Sequence, residues 1–261
     1  MTFRAREVLL SVDIIACEDT RVTRKLLRHF DIATKTLSYH EHNEATRTPK
    51  LIERLAAGEN VALVSDAGTP LVSDPGYRLV SAAREAGITV RPVPGASALL
   101  AALSVAGLPT SSFTFVGFIP RKGGARRRAL EALRGAPGTL VLFEAPGRVA
   151  QLLTDLEALL GPRSACVLRE MTKLHEEHQA ETLGQLATWA QARRFKGELT
   201  IVVGGERDRE VKTPVTIASL APRFAELRSD GLSPRDAAKK LAREHGLSTR
   251  SVYNELATHE R

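Results

Sequence analysis

The chain has 261 residues, 43% apolar and 26% charged, which suits one large folded α/β domain, or two modest ones, plus an appendage. No apolar run approaches the roughly 18 residues a membrane span needs, and Arg4, Arg6 and Glu7 break any apolar stretch near Met1. Neither a membrane protein nor a secretory leader is therefore expected, and the expected location is the cytoplasm. The formal charge of +7 favours a polyanionic partner, nucleic acid first, although a chain rich in Ala and Arg can reach that sum without one.

Short apolar runs alternate with helical patterns as far as residue 109, the signature of a parallel sheet with crossover helices. Residues 12–17 read as a buried strand, 23–30 as a helix, and 49–57 as a helix stopped by Gly58. Residues 61–64 form a strand running into a loop, 77–85 a helix closed by Gly87, 88–93 a strand, and 97–106 a helix. Residues 110–207 make a second α/β segment, with strands at 113–118, 139–143, 165–169 and 199–203 and helices at 148–160 and 183–192. After a charged linker, 206–213, residues 214–261 read as a helical appendage. There Ser233 caps a helix with Pro234 at its first position, Gly246 can end it, and Ser248 caps a second helix, which together make a helix-turn-helix pattern. Cys17 and Cys166 lie in apolar, strand-like runs without metal or disulfide spacing and read as reduced core thiols.

Five stretches could carry chemistry. The loop Ser65, Asp66, Ala67, Gly68, Thr69, Pro70, followed by Ser73, Asp74, Pro75 and Gly76, leaves the end of an apolar strand. Ligands bind at such ends in open α/β sheets, and glycine lets the backbone approach them. A plain turn would not need two Asp-Gly-Pro clusters. Pro94, Gly95, Ala96, Ser97 and Ala98 form either a ligand-facing helix start or a rigid turn with a serine cap. Glu18, Asp19, Thr20 and Arg21 end the first strand as a polar site or as a capping cluster with Arg21 as surface partner. His40 and His42, flanking Glu41, suit acid–base chemistry, whereas no spacing supplies the third ligand of a metal site, and the same objection holds for His175 and His178. Finally, Arg121, Lys122, Arg126, Arg127 and Arg128 place five cations in eight residues, either a phosphate clamp or a solvated loop and helix start.

In order along the chain, residues 13–21, 38–44 (SYHEHNE), 64–76 (VSDAGTPLVSDPG), 93–98 (VPGASA), 117–122 (GFIPRK) and 168–177 (LREMTKLHEE) resemble the ribosomal RNA small subunit methyltransferase I family, of the tetrapyrrole methylase-like superfamily. The resemblance spans about residues 4–205, and the helix-turn-helix also matches the family's tail. It implies a two-domain tetrapyrrole methylase-like (class III methyltransferase) α/β fold with S-adenosylmethionine in the cleft. It implies methylation of a cytidine ribose 2′-hydroxyl in 16S ribosomal RNA of the small subunit, and a homodimer. Cofactor loops fall on Asp66, Ala67, Gly68, Thr69 and Pro70, on Pro94, Gly95, Ser97 and Ala98, and at strand ends near Glu144 and Thr200. Glu18, Asp19 and Arg21, then His40 and His42, are the expected catalytic groups, with the basic run on RNA. Two departures stand out. Gly147 occupies a position where relatives carry histidine. The family's opening strand and its Ala-Thr-Pro-Ile-Gly-Asn-Leu loop have no counterpart before Thr2, so a central strand and one wall of the cofactor site are expected to be missing, with a misassigned start codon as the expected cause. The competing readings are a small-molecule tetrapyrrole methylase, which needs neither basic loop nor helix-turn-helix, and a nucleic-acid-binding protein with a degenerate methylase domain.

Overall fold

The computed structural model describes residues 1–205, 217–245 and 247–257; the charged linker at 206–213 and the helix-ending Gly246 lie outside them. Two compact units emerge, Met1–Arg209 and Glu210–Arg261.

The first unit opens with α1 (Phe3–Ser11), capped by Thr2, whose hydroxyl accepts the Ala5 N–H at 3.1 Å. Strand β1 (Ile14–Cys17) is buried at every residue, as its unbroken apolar run requires of a strand covered on both faces. It is the middle strand of a parallel sheet ordered β2-β1-β3, with β2 (Thr36–Ser38) and β3 (Val61–Val64) at its sides. Parallel neighbours need crossover connections, supplied by α2 (Thr20–His29) and α3 (Glu44–Ala56). Cys17 pairs with both Ser38 and Val64, so the three strands end level. The chain leaves that one edge three times, at residues 18–19, 39–40 and 65–66.

Helix α4 (Tyr77–Glu85) stands where the sequence predicts it. The strand expected at 88–93 does not form: the segment joins no ladder among the described residues and most of it is exposed. Pro92 and Pro94 explain part of this, since neither offers an N–H to a neighbouring strand. Helix α3 begins five residues earlier than its proline suggests, so Pro49 sits inside it.

Helix α5 (Ala98–Val105) leads to a five-stranded mixed sheet ordered β4-β5-β8-β6-β7. Its strands are β4 (Phe113–Phe118), β5 (Thr139–Glu144), β6 (Ser164–Arg169), β7 (Glu177–Thr182) and β8 (Leu199–Val203). Helices α6 (Gly123–Glu131), α7 (Val149–Leu160) and α8 (Leu183–Gln191) connect them. One face of this sheet, with Leu140, Leu142, Val167 and Ile201, packs on α7 and α8. The other, with Val141, Cys166, Leu168 and Val202, packs on Ala102, Leu103 and Ala106 at the end of α5. Both cysteines are buried and free, and burial pushes both thiols above the ordinary cysteine value.

In the second unit α9 (Ala221–Ser229), α10 (Pro234–His245) and α11 (Thr249–Leu256) share a core that includes Phe224, Leu227, Leu241, Val252 and Leu256. The Ser233 and Ser248 hydroxyls accept the Asp236 and Ser251 N–H groups at 3.1 and 3.5 Å, the caps read from the sequence.

Candidate active site at the strand ends

The level ends of β1, β2 and β3 gather the polar residues that the sequence scatters over nearly sixty positions. The Asp19 N–H donates to Asp66 Oδ1 at 3.1 Å, tying the first cluster to the loop after β3. Glu18 lies in the field of Asp66, Asp74 and His40. Burial pushes its carboxyl above the ordinary glutamate value, and repulsion from Asp66 and Asp74 adds to that. Asp74 is raised for the same reasons, burial first, against a counteracting hydrogen bond from Ser65. A carboxylate cluster of this kind favours a cationic ligand, which would relieve the mutual repulsion.

Asp19 has a different environment. Its carboxylate caps α2, accepting the Arg21 N–H at 2.8 Å, and takes the Arg21 guanidinium at 2.7–3.2 Å. That partnership holds its carboxyl down to about 2. Such an acid is a poor proton acceptor near neutrality. Within the triplet expected to be catalytic, Glu18 therefore has the properties of a base, and Asp19 with Arg21 has those of a cap and an ion pair.

His40 is held by Asn43. Its backbone N–H donates to Asn43 Oδ1 at 2.9 Å, and the Asn43 amide nitrogen lies 3.0 Å from His40 Nε2. That nitrogen can only donate, so Nε2 accepts and the ring proton sits on Nδ1. Nδ1 is buried and finds no hydrogen-bond partner among the described residues. His42 and Glu41 are exposed; the two imidazoles meet edge to face, 5.9 Å between centroids. Among the described residues no group of three His, Cys, Asp or Glu side chains could hold a metal.

The two glycine loops meet. Thr69 Oγ1 donates to the Ala96 carbonyl at 3.0 Å. Gly68 has φ +74°, a conformation that favours glycine. Leu71 and Ser73, in the same loop, also take positive φ (74° and 65°), strain of the kind that concentrates at functional sites. Asp66, Ala67, Gly68 and Thr69, with Pro94, Gly95 and Ala96, are exposed, although the Ala67, Pro94 and Ala96 carbonyls already accept from the Ser65, Thr2 and Thr69 hydroxyls. Ser97 caps α5 by accepting the Leu100 N–H at 3.4 Å, and Ala98 is its first residue.

The second sheet divides its two candidates. Phe143 pairs with Thr200, and Glu144 with Leu199. Side chains alternate along strands, so Thr200 shares the face of Val202, toward α5, and Glu144 shares the face of Leu142, toward α7. Glu144 is fully buried, forms an ion pair with Arg148 and accepts the Ala145 N–H at 2.7 Å; its Oε2 has no partner among the described residues. The basic run also splits. Arg126 is committed to Asp155 (2.5 Å) and the Pro120 carbonyl (3.2 Å). Arg121, Lys122, Arg127 and Arg128 are exposed, at the start and along the first turns of α6.

Sequence reading noticed Asp74 without giving it a role. The signal was the second Ser-Asp in the loop, eight residues after the first. Asn43, which orients His40, was missed; its spacing of three from the histidine is an ordinary turn pattern.

The chain is similar to known proteins in sequence and in fold. Residues 1–187 match the tetrapyrrole (corrin/porphyrin) methylases. Ribosomal RNA small subunit methyltransferase I of Halalkalibacterium halodurans is 44% identical over 97% of this chain and 89% of its own length. The Xylella fastidiosa protein of that name is 47% identical over 96% and 91%, and that of Mesorhizobium japonicum 53% over 78% and 70%. The chain belongs to the ribosomal RNA small subunit methyltransferase I family of tetrapyrrole methylases. Among solved structures, diphthine synthase superposes with a TM-score of 0.61 at 17% identity, covering 78% of this chain and 84% of that one. A Thermus thermophilus uroporphyrin-III C-methyltransferase complexed with S-adenyl homocysteine gives 0.53 at 22%, covering 80% and 92%. As a methyltransferase of this family, the chain takes S-adenosylmethionine as its methyl donor.

Proposed function

We propose that this protein methylates the ribose 2′-hydroxyl of a cytidine in 16S ribosomal RNA of the small subunit. The observation that carries the reading is the hydrogen bond from the Asp19 N–H to Asp66, which joins a base of raised pKa to the glycine loop at one sheet edge. Identity of 44–47% over nearly the whole chain with relatives named for ribosomal RNA favours RNA over a small tetrapyrrole.

The residues present suit the cofactor. Glu18, Asp66 and Asp74 provide negative potential for a ligand whose sulfonium and ammonium are cationic, and the exposed backbone of Asp66–Thr69 and Pro94–Ala96 can meet its hydroxyls and carboxylate. When bound, it supplies an activated methyl for in-line displacement. The protein's own part is alignment and proton handling. Glu18 accepts the proton of the 2′-hydroxyl as the oxygen becomes nucleophilic, and His40, which lies in the field of Glu18, stands behind it. Thr200 is assigned to the cofactor side by its place on the α5 face of β8, and Pro70, Ser97 and Ala98 by theirs at the loop ends. Arg121, Lys122, Arg127 and Arg128 contact RNA phosphates; Arg126 supports them through Asp155.

The test uses small subunits from a strain lacking this modification, incubated with the protein and methyl-labelled donor. The expected product is a single 2′-O-methylcytidine, found by mass spectrometry after nuclease digestion. Label on a base, or no label on RNA together with label on a tetrapyrrole, would contradict the reading.

A further inference from the structure

Helix α2 carries Arg21, Arg24, Lys25 and Arg28 and no carboxylate. Among the described residues only Arg21 of these is in an ion pair, with Asp19. An open cavity of about 570 Å³ lies along the far half of this helix, lined by Arg24, Arg28, Lys35, Thr34 and Thr36 over a floor of Leu27 and Ile32; the Thr34 hydroxyl itself donates to the Leu9 carbonyl at 2.6 Å. No acidic residue among those described lines it, and none of the three cations has an ion-pair partner among them. Arg24 Nε donates to Thr36 Oγ1 at 3.3 Å, which turns its head group toward β2.

Part of this charge has a local explanation. Cations in the last turn of a helix complement its dipole, and Arg28 and His29 occupy that turn. The dipole does not account for Arg24, in the middle of the helix, or for Lys35, which arrives from the start of β2. Three like charges around one concavity repel one another, and an anion there converts that repulsion into attraction. The cavity has the volume of ordinary ligand sites, but it is open along one side, which suits a chain passing through better than an enclosed small molecule.

Its position identifies the chain. The same helix is capped by Asp19, next to Glu18, and Arg24 and Arg28 follow Arg21 at roughly one and two turns, each turn rising about 5.4 Å. A strand whose reacting ribose sits at Glu18 would have phosphates within reach along α2. We infer that the α2–β2 groove binds the sugar-phosphate backbone of the RNA substrate about two turns of α2 away from the methylated nucleotide. This inference rests on the RNA reading above and adds a second contact surface to the α6 run.

The test compares the full-length protein with R28Q/K35Q, with the charge-preserving R28K/K35R, and with a charge-matched control, K50Q/R84Q, whose residues are exposed elsewhere. Binding of a fluorescein-labelled single-stranded RNA oligonucleotide is followed by anisotropy across a salt series. R28Q/K35Q is expected to bind at least tenfold more weakly, with the log–log salt slope reduced by about 1.4, roughly 0.7 for each phosphate no longer neutralised. R28K/K35R and the control should keep wild-type slopes, and S-adenosylmethionine affinity should not change in any variant. Wild-type affinity and slope in R28Q/K35Q, a control that weakens as much, or a wild-type protein that binds no RNA would overturn the groove. Failure of the wild-type protein to methylate small subunits, with RNA binding and the slope difference intact, would reject the functional reading and leave the groove standing.

Discussion

The two sheets of the first unit differ in what their residues do. In the five-stranded sheet β8 is buried at every position and apolar side chains cover both faces. In the three-stranded sheet β3 is only half-buried throughout, and its level ends hold a carboxylate cluster, an unsatisfied imidazole nitrogen and a loop with two strained non-glycine residues. One sheet stores stability. The other tolerates repulsion and strain, and that is where the chemistry is assigned. If the division is right, substitutions should separate cleanly into those that lower activity and those that lower stability.

The largest effect on rate is expected for Glu18→Gln. General-base catalysis contributes about 10²–10⁴-fold, so single-turnover methylation should fall by that much. The thermal midpoint at neutral pH should hold or rise. The sign follows from linkage: a carboxyl raised in the folded state is destabilising while ionised, and the neutral amide removes that burden. Ile201→Ala, in β8, should do the opposite. It is expected to cost about 2–5 kcal/mol of stability, seen as a lowered denaturant midpoint, with the methylation rate unchanged at a temperature where the protein stays folded.

Smaller effects test the division within the basic run. Arg126→Ala should destabilise by about 1–3 kcal/mol by leaving a part-buried carboxylate unpaired, with little change in the salt dependence of RNA binding. R127Q/R128Q should leave the melting temperature alone and reduce the salt slope by about 1.4. Smallest is Asp19→Ala. It removes a helix cap, a small loss of stability measurable by chemical denaturation. A rate loss as large as that of Glu18→Gln would move the base from Glu18 to Asp19.

The sequence made much of this legible, and where it failed the reason was physical. Strands with continuous apolar runs, such as Ile14–Cys17 and Leu199–Val203, were readable because burial on both faces demands such composition. Strand Glu177–Thr182 was not. It is an edge strand of alternating exposure and mostly polar residues, which gives no apolar signal. Strand Thr36–Ser38 is only three residues long. The segment at 88–93 has the composition of a strand but no partner among the described residues, and pairing cannot be read from composition. At the site, the glycine loops and the Glu18–Arg21 run were visible as motifs. Their division of labour was not, because it depends on which carboxylate the Arg21 guanidinium takes and which face of β5 and β8 each side chain leaves. The α2 groove escaped for a similar reason: Arg24, Arg28 and Lys35 look like ordinary surface cations until the fold closes them around one cavity.

The central claim, that the base is a raised Glu18 at the strand ends, is tested most directly by the pH dependence of single-turnover methylation on small subunits, wild type against Glu18→Gln. Wild type should lose rate as pH falls through a pKa above the ordinary glutamate value, because the ionised carboxylate is the active form, and the variant should be slow with that limb absent. A variant that kept both the wild-type rate and the same acid limb would contradict the account.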